Sequence, residues 1–241
     1  MYTLVVRPIA TRLKQKIKSV FYGLITRHFH YFNSILKAER LPAIAWNPKI
    51  SIWAIRGFGI PSPPEVKRET LKRYSISRGP WIETGTYFGG TTQFLSEFSE
   101  KVISIEPSYE LYTKTKDRLG NISNIELRNG TSEECFVSAI KEFDRNLNIF
   151  LDGHYSRGIT YQAEVDTPLK FEVTTIIEFL DNFEEIRLFI DDVRCMNPTI
   201  SGFEDYPTLF EILELLSPYT DRFIVENDIA IFYLRPRNKS K

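Results

Sequence analysis

The sequence has few of the features that mark secreted or membrane-spanning proteins. Only two of its 241 residues are cysteine, and Cys135 and Cys195 lie far apart, so we expect free thiols in a reducing compartment. No segment approaches the roughly 20 consecutive apolar residues of a membrane span. Basic residues interrupt the N-terminal stretch, which lacks the apolar core of a secretory signal. These absences predict a cytoplasmic protein.

The sequence also has no net charge, because 31 basic residues balance 31 acidic ones. A neutral chain has no global attraction to nucleic acid. The two signs are nevertheless segregated: residues 1–50 hold nine basic residues and one acid, which leaves 22 basic and 30 acidic residues in the remainder. No basic patch interleaved with aromatic residues adjoins the pocket predicted below. We therefore expect no nucleic acid among the partners.

Residues 10–38 have the periodicity of an amphipathic helix. Apolar residues recur three or four positions apart from Leu13 to Leu36, and the basic residues lie mostly off this stripe. Such a helix can pack on the domain, join two copies into a homo-oligomer, or lie on the anionic inner face of a membrane. An acid-poor organellar targeting segment is a further alternative. Residues 1–50 are predicted to be a basic helical extension.

Short apolar segments alternate with helical ones from Trp81 onward, after a proline-rich linker or cap over residues 51–80. The seven predicted strands are "PWIETG", "KVISIEP", "NIELRNG", "LNIFLDG", "IRLFIDD", "RFIVEND" and "IAIFYLRP". Alternation of this kind predicts a parallel sheet with helices on both faces, and the closing hairpin adds an antiparallel strand. The expected fold is therefore α/β, a Rossmann-like, doubly wound, seven-stranded sheet over residues 81–241.

Ligands bind such sheets where the strands end, near the point at which strand order reverses. The first strand ends in "ETGTYFGGTT", a glycine-rich turn that lets the backbone approach a ligand closely. The next helix offers free amides there. The strict G-x-G-x-x-G of dinucleotide folds and the Lys-Ser/Thr ending of a phosphate loop are both absent.

The next two strand ends also carry polar residues. Glu106 follows Gly85 by 21 residues, and a carboxylate there can accept hydrogen bonds from both ribose hydroxyls. Thr131 and Ser132 begin the helix after the third strand, where they can cap the helix or hold an adenine edge. Each feature alone has a plain alternative, a surface acid or an N-cap. Together, at successive strand ends, they favour a nucleoside site.

These segments resemble class I S-adenosylmethionine (SAM)-dependent methyltransferases. "IETGTYFGGTT" is similar to the first motif of that family, "ISIEP" to its second-strand acid, and the final hairpin to its reversed last strand, over roughly residues 80–235. Thr84, where an apolar residue is usual, departs from the pattern. The resemblance implies SAM as cofactor, and the implied contacts are Glu83, Gly85, Thr86, Tyr87, Gly89, Glu106, Thr131, Ser132 and Asp152.

Three acids follow the fourth and fifth strands. Asp152 ends "LNIFLD", and Asp191 and Asp192 end "LFIDD". Adjacent parallel strands end side by side, and three converging carboxylates repel one another unless a cation joins them. Oxygen ligands suit Mg²⁺, Mn²⁺ or Ca²⁺. The alternative is that the acids cap separate loops, with Asp192 paired to Arg194.

The acids extend the resemblance to metal-dependent sugar O-methyltransferases of the macrocin and mycinamicin type. In that family an acid after the fourth strand and an acidic pair after the fifth hold Mg²⁺, which by position implies Asp152, Asp191 and Asp192. His154 departs from the pattern. A neutral imidazole can act as a base near pH 7, and it can also bind a metal or belong to a plain turn. If His154 is not the base, Asp152 is the next candidate.

The sequence therefore predicts a metal-assisted SAM-dependent O-methyltransferase. Its acceptor is a hydroxyl of a sugar, a polysaccharide precursor or another small polyhydroxylated molecule. A metal-assisted hydrolase or lyase on the same fold, and a non-catalytic nucleoside-binding or membrane-docked assembly protein, stay as alternatives, because fold alone does not separate them.

Overall fold

The computed structural model describes residues 48–153 and 167–236. The chain divides into two units, Met1–Gly57 and Phe58–Lys241. In the first unit the described residues form helix α1 (Pro48–Ile55). The linker prediction did not include this helix, although a proline at the first helical position is favourable. The predicted helix over residues 10–38, with its oligomer and membrane alternatives, lies outside the described residues.

The second unit is built on one seven-stranded sheet. Its strands are β1 (Trp81–Thr84), β2 (Val102–Glu106), β3 (Ile125–Asn129), β4 (Asn146–Leu151), β5 (Glu185–Ile190), β6 (Thr220–Glu226) and β7 (Ile229–Leu234), in the spatial order β3-β2-β1-β4-β5-β7-β6. The β1–β2, β1–β4, β2–β3 and β4–β5 pairs are parallel, and β7 runs antiparallel to both β5 and β6. The predicted fold class is confirmed.

Helices cover both faces of this sheet. They are α2 (Pro64–Tyr74), α3 (Gly90–Ser96), α4 (Tyr109–Leu119), α5 (Ser132–Ile140), α6 (Leu169–Phe179) and α7 (Leu209–Leu216), and short 3₁₀ turns occupy Leu180–Asn182, Val193–Cys195 and Ser217–Tyr219. Within the described ranges, no helix is both long and apolar enough to cross a membrane. Helix α2 lies within residues 51–80, which the sequence predicts to be a linker or cap.

Neighbouring residues of each central strand pack into opposite cores. Ile82 and Ile149 lie in the core beneath α5, α6 and α7, whereas Trp81 and Phe150 lie in a second core with Leu71 of α2. Successive strand side chains point to opposite faces, so a sheet covered on both sides needs apolar residues at consecutive positions. This requirement explains the unbroken apolar runs that identified the strands.

Strand order reverses between β1 and β4, which places a ligand crevice at their carboxyl ends. Thr84 of β1 pairs with Leu151 of β4, and Leu151 pairs with Ile190 of β5. Residues that follow these three positions therefore lie at one edge of the sheet, called the carboxyl edge below.

Candidate functional site

The glycine-rich turn after β1 packs directly against the end of β4. Gly85 has φ +83°, and a Cβ added there would lie 2.4 Å from the carbonyl oxygen of Asp152. The backbone N–H groups of Gly85 and Thr86 donate to the carbonyl of Ile105 at 3.0 and 3.3 Å. Gly89, at φ +65°, precedes α3. The turn therefore needs glycine at position 85 for both its conformation and its close approach.

Glu83 lies in a buried hydrogen-bond network beneath this turn. Its Oε2 accepts from Thr92 Oγ1 at 2.5 Å and from Ser104 Oγ at 2.7 Å, and Thr86 Oγ1 lies 2.6 Å from Ser104 Oγ. Glu83 and Thr86 are 1% and 4% exposed. Burial raises the pKa of Glu83 to about 7, although both hydroxyl bonds lower it. The described contacts of Glu83 and Thr86 stabilise the turn from within.

The raised pKa of Glu83 predicts a pH-dependent stability. Between the ordinary value of 4.5 and about 7, the folded chain holds this proton more tightly than the unfolded chain does. The stabilising contribution is therefore complete below about pH 4.5 and is lost as the pH rises through about 7. Glu83→Gln removes this titration, so wild-type stability should fall relative to the variant by about 2–3 kcal/mol across that window.

Urea unfolding at a series of pH values measures this difference. Glu110→Gln is the control, because the exposed Glu110 carboxyl bonds to Lys114, which lowers its pKa. Any change there should be small and of opposite sign. If the free energies of unfolding of the wild type and Glu83→Gln ran parallel against pH, the fold would not raise the pKa of Glu83.

Glu106 joins the end of β2 to the glycine-rich turn. Its Oε2 accepts from the Tyr87 backbone N–H at 2.7 Å and its Oε1 from the Ser108 N–H at 2.9 Å. Burial raises its pKa, and these two backbone bonds oppose the rise. Each carboxylate oxygen has two lone pairs, so both keep capacity for a further donor. Glu106 is thus a fixed acceptor at the predicted ribose position.

The end of β3 is also tied to Glu106. Asn129 Nδ2 and the Gly130 N–H both donate to the Glu106 carbonyl, at 2.8 and 3.1 Å.

Thr131 caps α5 in a capping box with Glu134, so the predicted alternative of a plain N-cap is observed for this residue. Ser132 Oγ donates to Glu172 at 2.6 Å and is buried. The structure brings the three predicted strand ends together, and adenine contacts of Thr131 and Ser132 stay a prediction.

The acids after β4 and β5 occupy neighbouring strand ends, as predicted. The Asp152 N–H donates to Thr84 and the Asp191 N–H to Leu151, each at 3.0 Å. Asp191 and Gly153 also line one small cavity. Thr84 Oγ1 is buried beside Gly153 without a hydrogen-bond partner among the described residues, and a Cβ on Gly153 would lie 3.1 Å from it.

Lys67 of α2 lies between the two acids that follow β5. Its Nζ is 2.6 Å from Asp191 Oδ1 and 2.6 Å from Asp192 Oδ1. Arg194 pairs with Asp192 and with Asp228 of the β6–β7 turn, so the predicted alternative pairing of Asp192 with Arg194 is observed. Burial lowers the pKa of Lys67, but the two carboxylates outweigh it and raise that pKa above its ordinary value.

The acid pair does not fit the predicted divalent metal as it stands. Mg²⁺ requires carboxylate oxygens at about 2.0–2.1 Å, and the ammonium of Lys67 already holds one oxygen of each acid. Among the residues that the structure describes, no group of three His, Cys, Asp or Glu side chains could hold an ion. The metal role of Asp152, Asp191 and Asp192 stays a prediction that these contacts do not support.

Sequence reasoning missed both basic residues that α2 brings to this edge. Lys67 lies in the segment predicted to be a linker or cap, and its acidic partners lie 124 and 125 residues away. Arg68 packs over the glycine-rich turn, where a Cβ on Gly90 would lie 2.6 Å from its guanidinium. No local sequence pattern identifies such partners. His154, the other predicted catalytic residue, lies outside the described residues.

Comparison with known proteins supports the fold. No family model and no curated protein matches the chain. The O-methyltransferase from Bacillus cereus, solved in complex with SAH, is similar at a TM-score of 0.50 and 16% identity, over 78% of this chain and 88% of that chain.

Two further structures are more distant. TomG from Streptomyces achromogenes, an O-methyltransferase of tomaymycin synthesis solved with SAM, gives a TM-score of 0.49 at 15% identity, over 78% and 90% of the two chains. The 23S rRNA methyltransferase ErmE gives 0.44 at 15% identity, over 75% and 70%. At these identities the likeness concerns the fold alone. The chain has a Rossmann-like fold of the kind found in methyltransferases.

Proposed function

We propose that the protein is a SAM-dependent O-methyltransferase whose cofactor binds at the carboxyl edge of the sheet. The observation that carries this proposal is Glu106, a buried carboxylate fixed by the Tyr87 N–H beside a glycine-rich turn. The chain is similar in fold to an O-methyltransferase solved with SAH. The glycine-rich turn packs against the backbone of Asp152 at Gly85, and the cofactor would lie along this turn.

The residues of the turn and of β2 would bind and orient the cofactor. Glu106 would accept hydrogen bonds from the ribose hydroxyls, and the turn from Gly85 to Gly89 would face the methionine end. Arg68, whose positive charge already acts on Glu83, would lie near the carboxylate of that end. When bound, SAM supplies an electrophilic methyl group on a sulfonium.

The acceptor would enter beside Asp152. In this proposal Asp152 or His154 takes the hydroxyl proton, and the surrounding strand ends hold the oxygen in line with the methyl group, since proximity accounts for much of such rate gains. Hydroxyls of a sugar, a polysaccharide precursor or another small polyhydroxylated molecule remain the proposed substrate class. A metal-assisted hydrolase or lyase would need a metal ion at the same three acids. The contacts of Lys67 with Asp191 and Asp192 argue against such an ion, and therefore against this alternative.

Transfer of a labelled methyl group tests this function. The full chain is incubated with methyl-labelled SAM and three acceptor pools: nucleotide sugars and oligosaccharides, small phenols, and RNA. We expect label in the sugar pool and release of SAH. Label in RNA would contradict the proposed acceptor and the absence of nucleic acid partners. No label in any pool, together with no SAH binding, would contradict the methyltransferase itself.

A further inference from the structure

Asp191 and Asp192, the acid pair after β5, bind the ammonium of Lys67 from α2. We propose that the Lys67 ammonium takes the place of a divalent metal at Asp191 and Asp192, and that methyl transfer at this edge of the sheet needs no metal. This inference rests on the proposed function for its meaning in catalysis. The occupancy of the acid pair is testable without it.

The contacts of Lys67 are short and shielded. Its Nζ lies 2.6 Å from one oxygen of each acid, and the three side chains are 13% (Lys67), 6% (Asp191) and 13% (Asp192) exposed. Charge-assisted hydrogen bonds of this length are the strong ones. A dication that bound the same two oxygens would have to displace the ammonium, because like charges at such a distance repel strongly.

The surrounding residues orient the pair toward Lys67. The Asp192 N–H donates to Asp191 Oδ1 at 2.8 Å, and Arg194 Nη2 holds Asp192 Oδ2 at 2.9 Å. The Asp228 carboxylate, 4.0 Å from Lys67, is held by Arg194. In the described part of this cluster, Lys67 and Arg194 contact the carboxylates of Asp191, Asp192 and Asp228. Each of the two oxygens bound by Lys67 also accepts a second hydrogen bond.

The location of the cluster connects it to the proposed reaction. Asp191 follows Ile190, whose neighbour on β4 is Leu151, the residue before Asp152. Lys67 therefore neutralises part of the negative charge of the acid pair, on the strand next to that of Asp152, without any bound ion. In this role Lys67 is a positioning residue, which holds the acid pair and the charge of the edge in place.

Metal binding to the full chain tests the proposal directly. Calorimetric titration with Mn²⁺, and separately with Ca²⁺, should show at most weak binding to the wild type. Lys67→Met leaves two carboxylates without their ammonium, so the variant should bind Mn²⁺ at least about tenfold more tightly than the wild type does. Lys67→Gln is a second variant with a polar side chain, in case the methionine variant does not fold.

Two controls locate the effect. Lys72→Met removes a lysine from the same helix whose Nζ lies over the Phe98 ring, and it should behave as the wild type. Adding Asp191→Asn to Lys67→Met should abolish the gained binding. The methyl transfer of the wild type should be unchanged by EDTA, and Lys67→Arg should retain it better than Lys67→Met.

Stoichiometric Mn²⁺ binding to the wild type, as tight as that to Lys67→Met, would overturn the proposal. Loss of wild-type methyl transfer in EDTA would also overturn it. The metal titrations require neither cofactor nor acceptor. A failure of this inference can therefore be told from a failure of the methyltransferase function, which SAH binding measures.

Discussion

Replacing Gly85 with alanine is expected to abolish SAH binding and to lower the free energy of unfolding by about 2–4 kcal/mol. The residue has φ +83°, where L side chains are strained, and the new Cβ would lie 2.4 Å from the oxygen and 2.7 Å from the carbon of the Asp152 carbonyl. Both contacts are backbone, so no side-chain rotation relieves them. The end of β4 must move away from the turn.

Gly57→Ala is the matched control for this change. Gly57 also has a positive φ, +75°, but a Cβ added there meets no atom within 4 Å. SAH binding by this variant should equal that of the wild type, whereas Gly85→Ala should show none by calorimetry. Wild-type affinity in Gly85→Ala would mean that the cofactor does not lie against this turn.

Glu106→Gln is expected to weaken SAH binding by about 10- to 100-fold, the effect of losing charged hydrogen bonds worth about 1.5–3 kcal/mol. The amide loses the negative charge and one of the two acceptor oxygens that now receive the Tyr87 and Ser108 N–H groups. The variant would therefore lose ribose contacts and loosen the turn together. Calorimetry with SAH gives the affinity.

A ligand change separates these two causes. The wild type should prefer SAH to its 2′,3′-dideoxy analogue, and Glu106→Gln should lose most of that preference if the carboxylate binds the ribose. Glu110→Gln is the control, because the exposed Glu110 carboxyl bonds to Lys114 on the surface of α4. An undiminished preference in Glu106→Gln would assign the ribose to another residue.

The sheet could be predicted from the sequence because each strand is a short apolar run bounded by turn residues. Trp81–Thr84 and Asn146–Leu151 are almost wholly buried, and burial on both faces leaves a clear signal in the sequence. That the polar strand ends meet at one edge followed from the same pattern, since parallel strands end at one edge. Glu106 was identified in this way.

The contacts across the carboxyl edge could not be predicted. The partners of Lys67 depend on how α2 crosses the sheet, and a separation of 124 residues leaves no periodic trace. The same is true of Glu83, whose hydroxyl donors come from α3 and β2. Charge repulsion among the three acids led to the prediction of a metal ion, whereas the structure places Lys67 Nζ 2.6 Å from one oxygen each of Asp191 and Asp192.

The most direct test of the account is calorimetric titration of the full chain with SAH in the presence of EDTA. The wild type should bind one SAH per chain saturably, with an affinity that is unchanged when Mg²⁺ replaces EDTA, and Gly85→Ala should not bind SAH. Absence of SAH binding to the folded wild type, in both EDTA and Mg²⁺, would contradict it.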